Sequence, residues 1–303
     1  MSIPTGKLVI IGGAVDLGTN ISALENIKQP DHLRFFEHGI LKRIITESAT
    51  ENPVVEVVTT ASQIPELVGT EYIKAFSQLD VENVNVLDIR SREDAANPDY
   101  LARIKKADVV MFTGGDQLRL SSIFGGTEFL FILKDRYLHD HLLVAGTSAG
   151  AAAASANMIY RGQSNEAMIK GEVQITAGLG FIDSVIIDTH FVQRGRIGRL
   201  FYAVASNPGI LGIGLGEDAG LLITEGKTME AIGSGLTIVV EGRDIIETNI
   251  YNVEMGTPVS VENLKVHVMS IYDKFDLQQH KLFINKTAKV LNNHALNIPD
   301  NNY

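Results

Sequence analysis

Residues 142–150 read Leu-Leu-Val-Ala-Gly-Thr-Ser-Ala-Gly, a short apolar run followed by a glycine-bounded turn. The pentapeptide at 146–150 matches G-x-S-x-G, and an alanine-rich helical pattern continues from Ala149 to Asn157. A strand, a sharp turn and a helix are the context in which α/β enzymes hold a nucleophilic serine. The segment therefore predicts an α/β fold and makes Ser148 a candidate nucleophile.

Similar apolar runs recur on the N-terminal side of this segment, and most of them end in glycine, threonine or aspartate. They cover residues 8–11, 54–58, 84–87 and 107–112. Amphipathic stretches with helical spacing lie between and after them, at residues 33–46, 64–79 and 127–139. This alternation predicts a mostly parallel sheet with helices on both faces.

The pattern changes after about residue 210, where glycine-punctuated strands follow one another closely. They cover residues 211–215, 220–223, 229–232 and 236–240. These strands predict either an antiparallel extension of the same sheet or a small β-subdomain. Without repeats or a linker, we predict a single domain over residues 1–290 and a polar C-terminal tail over 291–303.

Composition excludes several classes of function. The 303 residues include 26 Lys and Arg against 36 Asp and Glu, a net charge of −10, which disfavours nucleic-acid binding. No apolar run is long enough to span a membrane and no signal-peptide pattern is present, so a soluble cytoplasmic protein is expected. The chain has no cysteine, which excludes disulfides and a thiol nucleophile. We predict no cofactor and no metal site, since no ligand spacing stands out.

Two interpretations of the Ser148 turn remain open from the pentapeptide alone. A nucleophile needs small neighbours, because larger side chains would collide across a strained turn. A helix start that is rich in small residues only for close packing would show the same letters.

The turn at residues 113–117, Thr-Gly-Gly-Asp-Gln, favours the nucleophile. It follows the preceding strand, so the N–H of Gly115 is expected to form an oxyanion hole with that of Ala149. Gln117 is a candidate to bind a substrate carbonyl. The alternative is a plain strand-to-helix turn.

A nucleophilic serine needs a general base and usually a carboxylate behind it. His190 follows the strand pattern at 185–188, and Glu217 follows the strand at 211–215, so both are expected near Ser148. Of the other histidines, His139 and His141 precede the serine strand, and His294 lies in the tail. The order Ser, His, Glu differs from that of α/β-hydrolases, which would require a late histidine; that fold is ranked second. The late candidates are His267 and His280.

Three arginines follow the predicted base, Arg194, Arg196 and Arg199. In an acidic chain, this local positive charge indicates bidentate capture of a substrate carboxylate. A set of surface salt bridges is the alternative.

Five segments together resemble the cyanophycinases, serine peptidases of the family that also contains aspartyl dipeptidase. The segments are residues 9–14, 112–117, 146–151, 188–191 with the three arginines, and 212–218, and residues 266–273 are similar to the family's C-terminal strand. The resemblance implies a fold like the class I glutamine amidotransferase domain, usually as a homodimer.

The same resemblance implies roles for individual residues. Ser148 would be the nucleophile, His190 the base and Glu217 the orienting acid. The implied substrate site is lined by Gln117, Asp188, Arg194, Arg196 and Arg199. Family enzymes of this type cut cyanophycin, an aspartate polymer with arginine on each side chain, to β-Asp-Arg dipeptides.

One position departs from the family pattern. The family commonly has glutamine immediately before the histidine, where this chain has the shorter Thr189, so a hydrogen bond to substrate is lost or replaced. A serine peptidase for other β-aspartyl peptides and an inactive ligand-binding relative are therefore the alternatives. A dinucleotide-binding domain, suggested by Gly12-Gly13 after the first strand, lacks the G-x-G-x-x-G motif.

Overall fold

The computed structural model describes residues 3–18 and 32–286. The helices within these ranges are α1 His32–Glu37, α2 Ile40–Glu47, α3 Pro65–Ser77, α4 Pro98–Ile104, α5 Gln117–Phe124, α6 Glu128–His139, α7 Ala149–Ala154 and α8 Ile197–Ser206. The strands of the first half are β1 Lys7–Ile11, β2 Val55–Val58, β3 Val84–Leu87, β4 Val109–Phe112, β5 Leu143–Thr147, β6 Asn157–Arg161 and β7 Gln174–Ala177. Those of the second half are β8 Val185–Asp188, β9 Leu211–Leu215, β10 Ala219–Thr224, β11 Thr228–Gly233, β12 Thr237–Glu241, β13 Glu247–Thr248, β14 Val261–Glu262, β15 Lys265–Met269, β16 Lys274–Asp276 and β17 Lys281–Phe283.

Nine of the described strands form the main sheet, in the order β17-β16-β11-β10-β1-β5-β4-β2-β3. The five strands from β1 to β3 in this order are parallel. The four from β17 to β10 join the edge of β1 in antiparallel fashion. The prediction of a mostly parallel sheet with an antiparallel extension toward the C-terminus is confirmed.

Helices cover both faces of the sheet. This buries the side chains of the parallel strands, which point alternately to opposite faces. Val9 and Ile11 of β1 share one core with Phe76 of α3. Leu8 and Ile10 belong to the other core, which includes residues of α4, α5, α6 and α7. All four of these β1 side chains are fully buried.

A second sheet of four described strands has the order β15-β12-β9-β8. Its strands β8 and β9 are parallel, and β12 and β15 continue it in antiparallel fashion. The glycine-rich strands after residue 210 thus divide between the two sheets: β10 and β11 extend the main sheet, and β9 and β12 belong to the second.

Two predicted helices are shorter than their sequence patterns. The pattern at 33–46 is broken at Gly39, whose backbone is extended (φ −61°, ψ 151°) and separates α1 from α2. The alanine-rich helix ends at Ala154, because Ser155 is extended and Asn157 already begins β6. Among the described residues, no helix has the length and apolar character needed to cross a bilayer. The predicted tail at 291–303 and His294 lie outside the described residues, and the single-domain division stays a prediction.

Candidate active site

Ser148, His190 and Glu217 form a continuous chain of hydrogen bonds. Oγ of Ser148 lies 3.1 Å from Nε2 of His190, and Nδ1 of His190 lies 2.8 Å from Oε1 of Glu217. Because a carboxylate can only accept, Nδ1 carries the ring proton and Nε2 accepts from the serine hydroxyl. The side chain of His190 is only 15% exposed, whereas that of Glu217 is 38% exposed. The imidazole is therefore oriented as a general base toward the serine.

Ser148 occupies a strained turn between β5 and α7. Its φ of 50° and ψ of −108° lie outside the regions that non-glycine residues favour. A Cβ on Gly146 would lie less than 3.0 Å from the backbone of Gly150, and one on Gly150 would lie equally close to Phe112. The small residues of the pentapeptide are thus required by close backbone packing.

Three consecutive carbonyl groups at the end of β1 hold the backbone beside Ser148, His190 and Glu217 in place. The carbonyl oxygen of Ile11 accepts from the N–H of Ser148 (2.9 Å), and that of Gly12 accepts from the N–H of His190 (2.8 Å). The carbonyl oxygen of Gly13 accepts from the N–H of Asp218 (3.0 Å), next to Glu217. Because β5 belongs to the main sheet and both β8 and β9 to the second, this turn joins Ser148, which follows a strand of one sheet, to His190 and Glu217, which follow strands of the other.

Two further residues that the sequence patterns did not single out form hydrogen bonds with Glu217 and with its neighbour Asp218. Oε1 of Gln193 accepts from the N–H of Glu217 (3.1 Å). The carboxylate of Asp218 accepts from the N–H (3.2 Å) and the hydroxyl (2.5 Å) of Ser234. Burial raises the pKa of Asp218, and the nearby charge of Asp16 adds to this, although the Ser234 hydrogen bonds act in the opposite direction. Neither Gln193 nor Ser234 lies in a motif, so only the folded geometry identifies them.

The turn after β4 lies against the serine, as expected from its place in the chain. A Cβ on Gly114 would lie 3.4 Å from Cβ and 3.9 Å from Oγ of Ser148. Gly115 has a φ of 142°, and a Cβ there would collide with the backbone of Ala61. The N–H groups of Gly115 and Ala149 make no hydrogen bond within the described part of the chain. Both are therefore free to bind an oxyanion.

Gln117 begins α5 beside this turn and is partly exposed. Its Nε2 donates to the carbonyl oxygen of Ile159 in β6 (3.0 Å). The amide nitrogen is therefore held by the β6–β7 hairpin, and Oε1 is left as a hydrogen-bond acceptor.

The three arginines after the base have different environments. Arg199 is 7% exposed and binds both carboxylate oxygens of Asp188, which is 2% exposed. Arg196 is partly buried, and its Nη1 donates to the carbonyl oxygen of Thr189 (2.7 Å). Arg194 is exposed, and its guanidinium makes no hydrogen bond or ion pair with the described residues.

Charge and burial act together on Arg196. Burial, reinforced by the neighbouring charge of Arg199, lowers the pKa of Arg196 to about 10. Arg196 nevertheless stays protonated at neutral pH, and its Nη1 also lies 3.4 Å from Oδ1 of Asp188. The three arginines together outweigh the charge of this one carboxylate.

The other predicted histidines are engaged elsewhere. His141 contacts Thr5, and His139 pairs with Asp135 at the end of α6. His267 and His280 both bind Glu241, which lies opposite Leu211 at the start of β9, whereas Glu217 follows the end of that strand. Only His190 reaches Ser148 among the described histidines. No group of three His, Asp or Glu in the described ranges is arranged to hold a metal ion.

A serine, a histidine and a carboxylate in this hydrogen-bonded order, at the end of an α/β sheet, define a serine hydrolase. Residues 35–231 match peptidase family S51. The chain is 36% identical to a cyanophycinase of Trichormus variabilis over 244 residues, 80% of this chain and 82% of that protein. It is 34% identical to a cyanophycinase of Synechococcus elongatus over 229 residues, 76% of this chain and 71% of that protein. The chain therefore belongs to peptidase family S51 and is a serine-type peptidase.

The fold agrees with this assignment. The crystal structure of a peptidase from an acI-B1 Actinobacterium superposes with a TM-score of 0.59, covering 89% of this chain and 98% of that one. The two sequences are 18% identical, so the likeness concerns the fold. The expected class I glutamine amidotransferase-like architecture is confirmed.

Proposed function

We propose that this chain is an exopeptidase that hydrolyses cyanophycin, multi-L-arginyl-poly-L-aspartate, to β-Asp-Arg dipeptides. The observation that carries the proposal is the hydrogen-bonded chain from Ser148 through His190 to Glu217. The two relatives that bear the name cyanophycinase support the choice of substrate. A homodimer in the cytoplasm, with no nucleic-acid or membrane partner, is part of the same proposal.

Acylation begins when Oγ of Ser148 attacks the carbonyl carbon of the scissile peptide bond. Nε2 of His190 takes the hydroxyl proton, and Glu217 stabilises the imidazolium that forms. The N–H groups of Gly115 and Ala149 bind the oxyanion of the tetrahedral intermediate. Its collapse breaks the C–N bond, and His190 gives its proton to the leaving amine.

Deacylation repeats these steps with water. His190 takes a proton from a water molecule, whose oxygen attacks the acyl-enzyme carbonyl. The second tetrahedral intermediate breaks the ester bond, and the proton on Nε2 returns to Oγ of Ser148. The product leaves with a new carboxylate and the serine is regenerated.

Substrate binding depends on the positive cluster beside the base. The exposed guanidinium of Arg194 and the partly buried one of Arg196 bind substrate carboxylates. Oε1 of Gln117 accepts from a substrate N–H, since its nitrogen is held by Ile159. Asp188, Thr189 and Arg199, which the sequence predicted to line the substrate site, are all buried beneath this surface.

The test is incubation of the purified protein with cyanophycin and, separately, with a plain α-Asp-Arg peptide, with products identified by mass. We expect β-Asp-Arg from the polymer and no cleavage of the α-linked peptide. Ser148→Ala should abolish release while the thermal unfolding curve stays close to that of the wild type. Release at the wild-type rate by Ser148→Ala would overturn the assignment of the nucleophile.

Two other outcomes would redirect the proposal. Cleavage of short β-aspartyl peptides without attack on the polymer would identify a related dipeptidase, as the departure at Thr189 suggests. Failure of a serine-directed fluorophosphonate to label Ser148 would identify an inactive ligand-binding relative.

A further inference from the structure

A buried ion pair lies directly beneath the base. The carboxylate of Asp188, at the end of β8, receives Nε and Nη2 of Arg199 from α8. Both side chains are at least nine-tenths buried. Nη1 of Arg199 donates to the carbonyl oxygen of Gly162 in the β6–β7 hairpin (3.2 Å). The hydrogen-bonding nitrogens of Arg199 are therefore already used within the protein.

The same carboxylate also fixes the backbone that leads to His190. Oδ1 of Asp188 accepts from the N–H of Thr189 (2.8 Å), and Nη1 of Arg196 donates to the carbonyl oxygen of Thr189 (2.7 Å). The peptide groups on both sides of Thr189 are thus held by charged side chains. Such hydrogen bonds are stronger than those between neutral groups.

His190 needs this support because its backbone is strained. Its φ of 49° lies in the left-handed region, which non-glycine residues seldom adopt. Such conformations persist only where the surrounding structure over-determines them. The N–H of His190 donates to Gly12, and its carbonyl oxygen accepts from the N–H of Arg194 (3.0 Å). A further constraint is the Asp188–Arg199 pair acting through Thr189.

We propose that Asp188 and Arg199 are positioning residues for His190 and that neither contacts the substrate. The pair fixes the turn from which the imidazole reaches Ser148, and it leaves recognition of the substrate carboxylate to Arg194 and Arg196. This inference rests on the serine chemistry of the proposed function, but not on the identity of the polymer.

The test compares Arg199→Lys with the double variant Asp188→Asn/Arg199→Gln. Lysine keeps the charge but cannot form the two parallel hydrogen bonds. The double variant removes both charges of the pair, and Arg196, whose Nη1 also lies 3.4 Å from Asp188, keeps its hydrogen bond to the carbonyl oxygen of Thr189. Labelling of Ser148 by a fluorophosphonate reports the placement of the base without any peptide substrate. Cleavage assays supply kcat and KM for the same samples.

The matched control is Arg103→Lys. Arg103 also pairs through two nitrogens with a buried carboxylate, Glu56 of β2, and it takes no part in the hydrogen-bonded chain of the site. It therefore reports what the loss of such a pair does to the fold alone. Thermal unfolding of each variant normalises the rates to folded protein.

We expect both labelling and kcat to fall about 10- to 100-fold in the Arg199 variants, because small misplacements of catalytic groups have effects of this size. KM should change little, and Arg103→Lys should label at the wild-type rate. A rise in KM with unchanged labelling would overturn the inference and make Arg199 a substrate contact. If Arg199→Lys does not fold, the double variant decides by the same readouts.

The two proposals fail in different ways. Wild-type protein that labels at Ser148 but leaves cyanophycin intact contradicts the choice of polymer, and the labelling rates still test the positioning role. Wild-type protein that does not label contradicts both.

Discussion

Gly13 leaves the space that the imidazole of His190 occupies. A Cβ on Gly13 would lie less than 3.0 Å from both Cε1 and Nε2 of His190, closer than real Cβ contacts come. The φ of Gly13 is +110°, which glycine alone adopts easily. Gly13 at the end of β1 therefore makes room for the proposed catalytic base.

Gly13→Ala should displace the imidazole from Ser148. We expect kcat to fall about 100-fold, as a shift of about 1 Å in a catalytic group predicts. Gly126→Ala is the matched control, since Gly126 also has a positive φ (+71°) but no atom within 4 Å of an added Cβ. Equal activity of the two variants would show that the contact with His190 is unimportant.

Glu217→Gln should leave the hydrogen bond to Nδ1 possible but remove the charge that stabilises the imidazolium. Replacing the carboxylate of such a triad lowers kcat by about 10⁴-fold. Steady-state kinetics and fluorophosphonate labelling both measure the loss. Glu225→Gln, on the exposed turn between β10 and β11, should retain full activity. A Glu217→Gln enzyme within a few-fold of wild type would exclude this carboxylate from the mechanism.

Arg194→Gln should weaken substrate binding more than chemistry. A lost hydrogen bond between charged groups is worth about 1.5–3 kcal/mol, which predicts a KM about 10- to 100-fold higher. The effect should shrink as salt is added, because an exposed pair is screened. Arg243→Gln serves as the control, since Arg243 is an exposed arginine just after β12. An unchanged KM at low salt would contradict the proposed binding of a substrate carboxylate by Arg194.

Glu241 should make stability depend on pH. Burial tends to raise the pKa of Glu241, but hydrogen bonds from His267, Lys265 and His280 outweigh it, and the pKa lies below its ordinary value of 4.5. A carboxylate with a lowered pKa in the folded state stabilises the fold above its unfolded pKa, and this contribution disappears as the pH falls through the folded value.

Glu241→Gln should therefore lower the free energy of unfolding at pH 7 by about 1–3 kcal/mol. The difference from wild type should shrink below about pH 4.5, the ordinary value for this group. Urea unfolding at several pH values measures it. Glu225→Gln again provides the control, and a pH-independent difference would contradict this account.

Local patterns in the sequence predicted most of the fold. The apolar runs at 84–87, 185–188 and 211–215 coincide with β3, β8 and β9. These patterns are reliable because the period of a strand or a helix is written in neighbouring residues. The ends of helices were less predictable. The alanine-rich helix ends at Ala154, and the hydroxyl of the next residue, Ser155, donates to the carbonyl oxygens of Ala152 and Asn157.

The residues of the candidate site that directly follow a predicted strand could be predicted from the sequence. Ser148, His190 and Glu217 each come directly after an apolar run, and the structure brings the three together. Their assignment as catalytic residues remains a prediction until the variants are measured. The arginines were less predictable, because a sequence shows three equal positive charges, whereas burial decides which of them a substrate can reach.

The sequence by itself determined most of the strands and the order of the candidate residues Ser148, His190 and Glu217, and the lack of cysteine excluded a thiol nucleophile. Tertiary structure decided that β8 and β9 form a second sheet, and that the carbonyls of Ile11, Gly12 and Gly13 join the two. It also decided that Arg199 is bound to Asp188 whereas Arg194 faces solvent. The physical reason is distance along the chain: backbone periodicity is local, but these contacts join segments that only packing of the whole fold brings together.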